Sequence, residues 1–239
     1  MKQSDLIILS STRNKTIENF EIKMLDSFCR TTPQECKMLV IENNSNAVDH
    51  AQWKECVESK GQTFMFFDGE FNINKMYNLG TKLTTSEYVM YANSDIVFHT
   101  NWYRNLLNWF DVTPNLFVVS PFSKALVPDV NRHGVYRTDV MPVRYIHDTV
   151  YIPGWFYCLK RSSHFVWDEN FRAHFQDVDF VYTLERMRKK DNSIKSGIAY
   201  NSRVDHLCGG TAHNASQYYY TTQGEYACFA KWGVGKKWN

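Results

Sequence analysis

An acidic residue follows an apolar stretch near the middle of the chain. Residues 88–92 are apolar and are followed by Asn93, Ser94 and Asp95. Such a run is typical of a buried central strand, and open α/β sheets bind ligands at the carboxyl ends of their strands. A carboxylate at that position could hold a divalent cation against a diphosphate, because hard cations prefer oxygen ligands. The triplet by itself is also typical of a turn.

Two more groups of side chains could do chemistry. Asp177 and Asp179 lie at the start of a predicted helix, where one could act as a general base or both could cap the helix. Asp205 and His206 precede His213, with Gly209 and Gly210 between them. Imidazole is a common ligand of manganese or zinc, but a single histidine is as readily a hydrogen-bonded structural residue.

Alternating strands and helices must position these groups. The apolar periodicity predicts strands at 5–10, 37–41, 63–67 and 88–95, separated by helices over 17–28, 49–60 and 73–80 and followed by one near 101. Gly80 is interpreted as a site of close packing rather than as a helix stop. This alternation predicts an α/β fold with a largely parallel sheet.

The second half of the chain is less regular. Residues 121–148 form a long basic stretch that contains proline and three arginines, Arg132, Arg137 and Arg144. The pattern then predicts strands at 149–159 and 193–200, a short helix at 161–166, and a longer helix that ends near Lys190. An aromatic tail follows residue 212.

Composition narrows the class of protein. The chain has 239 residues, 44% of them hydrophobic, a net charge of +2 and no low-complexity linker, which predicts one globular domain. No targeting segment or long apolar run is present, so we expect a soluble cytoplasmic protein. The absence of C-x-x-C, G-x-G-x-x-G and P-loop motifs excludes zinc ribbons and the usual dinucleotide and P-loop sites.

Taken in order, several segments resemble the inverting nucleotide-sugar glycosyltransferases of family 2, which have the GT-A fold, a Rossmann-like sheet flanked by helices. The similar segments are D-L-I-I-L-S-S-T-R-N (5–14), K-M-L-V-I-E-N-N-S (37–45), N-K-M-Y-N-L-G (74–80), Y-V-M-Y-A-N-S-D (88–95), P-G-W-F-Y-C-L-K-R (153–161), D-E-N-F-R-A-H-F-Q-D-V-D-F (168–180) and V-D-H-L-C-G-G-T (204–211). Three positions differ from the family pattern, because Glu42 replaces an aspartate, Asn93 replaces the first acid of D-x-D, and Gln176 replaces a glutamate.

The resemblance implies an enzyme with a definite set of site residues. Asp177 would be the general base, and Asp95 and His206 would bind Mn²⁺ or Mg²⁺. The nucleotide-sugar donor, expected to be a UDP-sugar, would contact Thr12, Glu42, Lys75, Asn78 and Asn93. Residues 1–96 would form the donor half and 97–212 the acceptor and catalytic half, followed by the aromatic tail, 213–239.

The resemblance implies a glycan, a lipid-linked sugar or a protein as the acceptor, and two alternatives to such a transferase remain open. The first is a DNA-modifying glycosyltransferase of viral type, in which the basic stretch and the Lys-ended tail would contact the phosphates of a hydroxymethylated acceptor. The second is a sugar- or nucleotide-binding module on a degenerate transferase fold, since a fold does not fix a function. Loss of the family acids at Asn93 and Gln176 favours this second alternative, whereas retention of Asp95, Asp177 and His206 opposes it.

Overall fold

The computed structural model describes residues 2–11, 20–43, 47–124, 152–173, 175–207 and 215–233. Within these ranges the strands are β1 (Ser4–Ser10), β2 (Cys36–Glu42), β3 (Thr63–Phe66), β4 (Tyr88–Asn93), β5 (Ile96–Phe98), β6 (Leu116–Phe122), β7 (Phe156–Lys160) and β8 (Lys195–His206). The α-helices are α1 (Glu21–Thr31), α2 (Ala47–Ser59), α3 (Ile73–Leu83), α4 (Trp102–Val112), α5 (Gln176–Lys190) and α6 (Ala215–Trp232).

The strands form one sheet in the order β3-β2-β1-β4-β7-β6-β8-β5. The first half of the chain supplies β3, β2, β1 and β4, which are all parallel. Their α-helical crossovers are those predicted from the sequence, and each predicted strand agrees with the observed one to within two residues. The carboxyl ends of these four strands therefore meet at one edge of the sheet.

The second half of the sheet is mixed rather than largely parallel. β7 is antiparallel to both β4 and β6, β6 is parallel to β8, and β5 is antiparallel to β8. The prediction of a largely parallel sheet thus holds only for the strands of the first half, β1 to β4. Because β7 runs in the opposite direction, the residues just before it lie at the same edge as the carboxyl end of β4.

Each face of the sheet is covered by helices. On one face, α1, α2 and α4 enclose a core that contains Trp53 and Trp102, both fully buried. On the other, α3 and α5 pack with Trp167 against Ile7, Tyr91 and Tyr157. The close packing of α3 depends on Gly80, since a Cβ there would lie 2.7 Å from Ile7 Cγ2. The interpretation of Gly80 as a packing residue is confirmed.

Several features of the second half differ from the sequence prediction, among them β5 and β6, which were not predicted, and β7, which begins only at Phe156. β8 extends to His206 instead of ending at residue 200, the short helix is a single 3₁₀ turn, Arg161–Ser163, and the aromatic tail contains α6. Most of the basic stretch, with Arg132, Arg137 and Arg144, lies outside the described residues. In the described part of the chain, no helix combines the length and apolar composition that a transmembrane span requires.

Candidate active site

The carboxyl edge of the sheet collects most of the predicted site residues. The last residues of β1 and β2, Ser10 and Glu42, are register partners, and Asn93 at the end of β4 pairs with Leu9. Asp95 follows two residues after Asn93 and is only 6% exposed. Strand pairing alone therefore places Glu42, Asn93 and Asp95 along one edge.

Asp95 and His206 form a close pair. His206 is the register partner of Ile96 in the antiparallel pairing of β8 with β5. This pairing places His206 Nε2 3.3 Å from Asp95 Oδ1, and the Leu207 amide donates to the Asp95 carbonyl at 2.9 Å. The His206 amide donates to Ser123 Oγ at 3.0 Å, which fixes the backbone on its other side. The two residues that the sequence predicted as metal ligands are thus brought together.

A buried acid that the sequence analysis missed supports the same triplet. Glu21 opens α1, is fully buried, and accepts a hydrogen bond from Ser94 Oγ at 3.0 Å. Its Oε1 also lies 3.5 Å from Ser10 Oγ at the end of β1. Because Ser94 precedes Asp95, this contact fixes the turn that presents the Asp95 carboxylate. The only sequence signal was an acid in the first turn of a helix, which is common.

Asp177 lies in the first turn of α5 and faces a glycine. Its Oδ1 accepts from the Val178 amide at 2.9 Å. A Cβ added to Gly154 would lie 2.9 Å from Asp177 Cβ and 3.1 Å from its Oδ2. Glycine at 154 therefore permits the approach of this carboxylate. The residue before α5, Phe175, has φ of 65°, a conformation that a bulky residue adopts only when its surroundings impose it.

Gly154 and Trp155 connect the predicted base to the predicted metal ligands. Gly154 contacts Asp177, whereas the ring of Trp155 stacks on that of His206 with centroids 5.2 Å apart and planes at 19°. The Trp155 carbonyl accepts from the Asn93 amide at 3.1 Å. These two consecutive residues, just before β7, therefore contact both Asp177 and the Asp95–His206 pair.

Asp179 has a structural role, which distinguishes it from Asp177. It is 4% exposed and its Oδ1 accepts from Trp232 Nε1 and from Lys231 Nζ, both at 2.8 Å. Lys231 also donates to Asp168 at 2.7 Å. Burial alone would lower the pKa of Lys231, but its hydrogen bonds to Asp168 and Asp179 outweigh this and raise it. The carboxylate of Asp179 thus attaches α6 to α5.

Burial would likewise raise the pKa of Asp168, but hydrogen bonds from Lys231 and Asn170 hold it below its ordinary value.

The Cys228 thiol of α6 lies close enough to the predicted base, Asp177, to be affected by its charge. Burial, together with the charges of Asp179 and Asp177, raises the pKa of Cys228 to about 12.

Two of the residues predicted to contact the donor, Lys75 and Asn78, lie on α3. The side-chain amide of Asn78 is buried, and its hydrogen bonds go to Trp167 N, Trp167 O and Glu169 Oε1. Asn72 and Asn74 bond the carbonyls of Glu169 and Asp168, so three asparagines of one helix end hold the segment that leads to Asp177.

Lys75 is exposed, with its Nζ 5.8 Å from the centroid of the Phe67 ring. Thr12 and His213 lie outside the described residues. Contacts of Thr12, Glu42, Lys75, Asn78 and Asn93 with a donor stay predictions.

A comparison of the sequence with protein families identifies the family of the chain. The family model described as Glycosyl transferase family 2 matches residues 8–167, about two thirds of the chain. The chain belongs to glycosyltransferase family 2. The matched segment includes Glu42, Asn93 and Asp95, whereas Asp177 and His206 lie beyond it. No curated protein sequence matches the chain.

Solved structures share the fold. GalNAc-T7 with UDP, GalNAc and Mn²⁺ has a TM-score of 0.66 and 13% identity, covering 91% of this chain and 46% of its own. The mannosyltransferase PcManGT from Pyrobaculum calidifontis, in complex with GDP-Man and Mn²⁺, has a TM-score of 0.65 and 14% identity, covering 96% and 64%.

The 1-349 segment of S. aureus TarS has a TM-score of 0.60 and 11% identity, covering 99% and 75%. The chain therefore has the GT-A fold and spans about half to two thirds of the first two proteins.

The residues present fit a divalent cation. Asp95 supplies carboxylate oxygens and His206 an imidazole nitrogen, a donor set that suits manganese. Within the described ranges, no group of three or more His, Cys, Asp or Glu side chains could enclose a metal ion. A cation held by this pair would keep positions for phosphate oxygens, as is usual where protein and substrate share a metal.

Proposed function

We propose that this glycosyltransferase family 2 domain is a metal-dependent, inverting enzyme that transfers a sugar from a nucleotide-sugar to an acceptor hydroxyl. The observation that supports it most is the arrangement around Gly154 and Trp155. Gly154 lies against the carboxylate of Asp177, and its neighbour Trp155 stacks on His206, which is paired with Asp95, so one two-residue segment contacts both groups. A transferase of this class needs those two functions on either side of the anomeric carbon.

In the proposed reaction Asp177 accepts the proton of the acceptor hydroxyl while the oxygen attacks the anomeric carbon. The bond from that carbon to the diphosphate breaks, and the nucleoside diphosphate leaves with the bonding electrons. A single displacement of this kind inverts the configuration at the carbon. Asp95 and His206 would hold the divalent cation, which as a Lewis acid stabilises negative charge on the diphosphate.

The surroundings of Asp177 suit a general base. It is half-buried in the first turn of α5, whereas Asp179, two positions further along, is committed to α6 by its contacts with Trp232 and Lys231. Asn72, Asn74 and Asn78 hold the preceding segment, so the position of the base is fixed by α3. Proton transfer to a positioned base contributes about 10²–10⁴-fold to rate.

The experiment is a thermal-shift screen of UDP- and GDP-sugars with and without Mn²⁺, followed by assay of donor hydrolysis. A ligand that binds only the folded state raises the unfolding temperature. We expect one donor to stabilise the chain only when Mn²⁺ is present, which also identifies its nucleotide. Absence of a shift with every donor would contradict the transferase proposal and favour a degenerate binding module.

Asp177→Asn and Asp179→Asn form a matched pair for the mechanism. The first should keep the donor-dependent shift and the unfolding temperature but lose at least about 10²-fold in turnover. The second should lower the unfolding temperature, because it weakens the contacts to Lys231 and Trp232, with turnover of the folded protein largely kept. Full activity of Asp177→Asn would remove that residue from the role of base.

A further inference from the structure

A groove separate from the Asp95–His206 pair lies between three elements. Its walls are the first turn of α3, the segment 168–172, and one face of α6, and its volume is about 1010 Å³. This is large enough for a ligand of several rings, since small-molecule sites usually measure about 300–1,000 Å³. Ala227 and Ala230 keep the α6 wall low, so the groove is open along the helix.

The charges that line the groove cancel. The charged residues among its described lining are three acids and three bases, Glu70, Asp168, Glu169, Lys75, Arg172 and Lys231. Arg172 is paired with Glu70, and Lys231 with Asp168. Such a surface has no excess of either sign to attract a polyanion or a polycation, so a phosphate-rich chain is a poor match.

The remaining lining combines an aromatic ring with hydrogen-bonding groups. Tyr226 on α6 is 70% exposed, an unusual state for a large aromatic side chain. The lining also includes Asn170 and Gln223, which carry side-chain amides, the acid Glu169 and the base Lys75. A pyranose has an apolar face of C–H groups and a rim of hydroxyls that both donate and accept. Tyrosine offers an apolar face with a polar end, which suits stacking of that kind.

We propose that this groove binds an uncharged saccharide unit of the acceptor, with Tyr226 as the stacking platform. The groove belongs to the acceptor because its wall at 168–172 leads directly into the first turn of α5, which carries Asp177. Lys231 joins the same wall to α5 by bonding both Asp168 and Asp179. The assignment of the groove to the acceptor rests on the proposed transferase function, whereas the proposal that the groove binds a saccharide does not.

The test is binding of neutral hexasaccharides by calorimetry and by ligand-observed NMR. The probes are chitohexaose, mannohexaose and maltohexaose, compared with a single-stranded DNA oligonucleotide and a sulfated hexasaccharide. We expect at least one neutral probe to bind the full chain, and Tyr226→Ala to weaken it about tenfold. Tyr226→Trp, which keeps a platform, should retain the affinity.

Phe229→Ala is the matched control. Phe229 lies one turn further along α6, is 53% exposed, and is not part of the groove lining. Its removal should leave saccharide affinity unchanged, and the unfolding temperature of each variant shows whether it is folded. Binding that is absent with all neutral probes, equal in Tyr226→Ala, or stronger for DNA or the sulfated probe would overturn the proposal.

The donor screen on the unmodified chain separates this proposal from the proposed function. Saccharide binding that requires Tyr226, without any donor-dependent shift, would keep the groove and remove the transferase assignment. A donor-dependent shift without saccharide binding would do the reverse.

Discussion

The side chains of Asp95 and His206 make a direct prediction about donor binding. Their facing atoms are 3.3 Å apart, so each should contribute to holding the cation and hence the diphosphate. Asp95→Asn and His206→Gln should each reduce the Mn²⁺-dependent increase in unfolding temperature produced by the donor. A loss of about 10-fold or more in metal affinity is expected for each, as measured by metal titration at fixed donor concentration.

Asp205→Asn is the control for that pair. Asp205 precedes His206 in β8, so its side chain points to the opposite side of the strand, where it lies 2.7 Å from His99 Nε2. The metal response should be unchanged in this variant. An equal loss in Asp205→Asn would indicate a general disturbance of β8 and not the removal of a ligand.

Gly154 leads to a second prediction at the same scale. A methyl group there would meet Asp177 Cβ at 2.9 Å, too close for either backbone to stay in place. Gly154→Ala should therefore displace the proposed base and lower turnover by about 10²-fold, since small misplacements of a catalytic group have effects of that size. The donor-dependent thermal shift should persist. Normal turnover would show that Asp177 tolerates displacement and that the contact is not critical.

Side chains at strand ends could be predicted because of the pattern that surrounds them. Asp95 follows an apolar strand, and His206 follows Asp205 in a recognisable segment, so both could be named from the sequence. Glu21 and Trp155 could not be named in this way. Their roles depend on contacts with residues distant in sequence, Ser94 for Glu21 and His206 for Trp155. Asn78 was named from a motif as a donor contact, but its buried side-chain amide bonds the backbone of Trp167, a contact that the motif does not reveal.

At the scale of elements, α3 and β1 approach closely at Gly80. Gly→Ala in a helix interior normally stabilises by up to about 1 kcal/mol. Here the added Cβ would lie 2.7 Å from Ile7 Cγ2 and 2.9 Å from Ile7 Cδ1, so Gly80→Ala should instead destabilise by about 1–3 kcal/mol. Urea unfolding at constant pH measures this change.

Ile7→Ala tests whether that contact is the cause. It removes the Ile7 atoms that the new methyl group would meet, so the penalty of Gly80→Ala should shrink in the Ile7→Ala background. The coupling between the two changes should exceed about 0.5 kcal/mol, the usual limit of additivity for independent sites. Simple additivity would place the cause elsewhere than Ile7.

The attachment of α6 to α5 predicts a pH-dependent stability. Lys231→Met leaves the buried Asp179 without one hydrogen-bond donor and should destabilise by about 1–3 kcal/mol at neutral pH. The lowered pKa of Asp168 makes its contribution present above its ordinary pKa of 3.8 and lost as pH falls through the folded value. The raised pKa of Lys231 makes its contribution present below 10.5 and lost as pH rises through the folded value.

The difference between the original chain and Lys231→Met should therefore be largest from weakly acidic to weakly alkaline pH and shrink at both extremes. Urea unfolding across pH measures it, and Lys190→Met, at an exposed lysine that ends α5, is the control, expected to stay within about 0.5 kcal/mol. A pH-independent difference would show that the ionic contacts of Lys231 do not contribute.

Elements of the second half were harder to predict for a physical reason. Residues 201–203 of β8 are polar and resemble a loop, yet the Ser202 hydroxyl bonds Trp102 O and the Asn201 amide oxygen accepts from Trp109 Nε1. Helix α4 thus satisfies these side chains and allows the strand to continue. β7 changes direction within the sheet, which no local pattern records. α6 was not predicted because its aromatic run 218–220 interrupts helical periodicity.

For the molecule as a whole, the first half of the fold could be predicted from alternating strands and helices, because parallel sheets are built by local crossovers. The second half depends on long-range pairings of β5, β6, β7 and β8. The family match runs from residue 8 to residue 167 and so extends into the second half, whereas the predicted strand-edge residues Glu42, Asn93 and Asp95 all come from the first half. The groove that we propose for the acceptor is lined mostly by residues of the second half.

Salt dependence of binding distinguishes the two acceptor classes. A net charge of +2 provides little overall attraction for a polyanion, and the charges lining the groove cancel. We therefore expect saccharide affinity to be nearly indifferent to salt, and any affinity for single-stranded DNA to be weak. Contact with several phosphates would instead give a slope of log affinity against log salt of about −0.7 per contact. Changing Arg132, Arg137 and Arg144 together to Gln should leave saccharide binding unaltered. A steep salt dependence of DNA affinity that disappears in this triple variant would indicate that DNA is the acceptor. The groove beside α6 would then not be the main acceptor site.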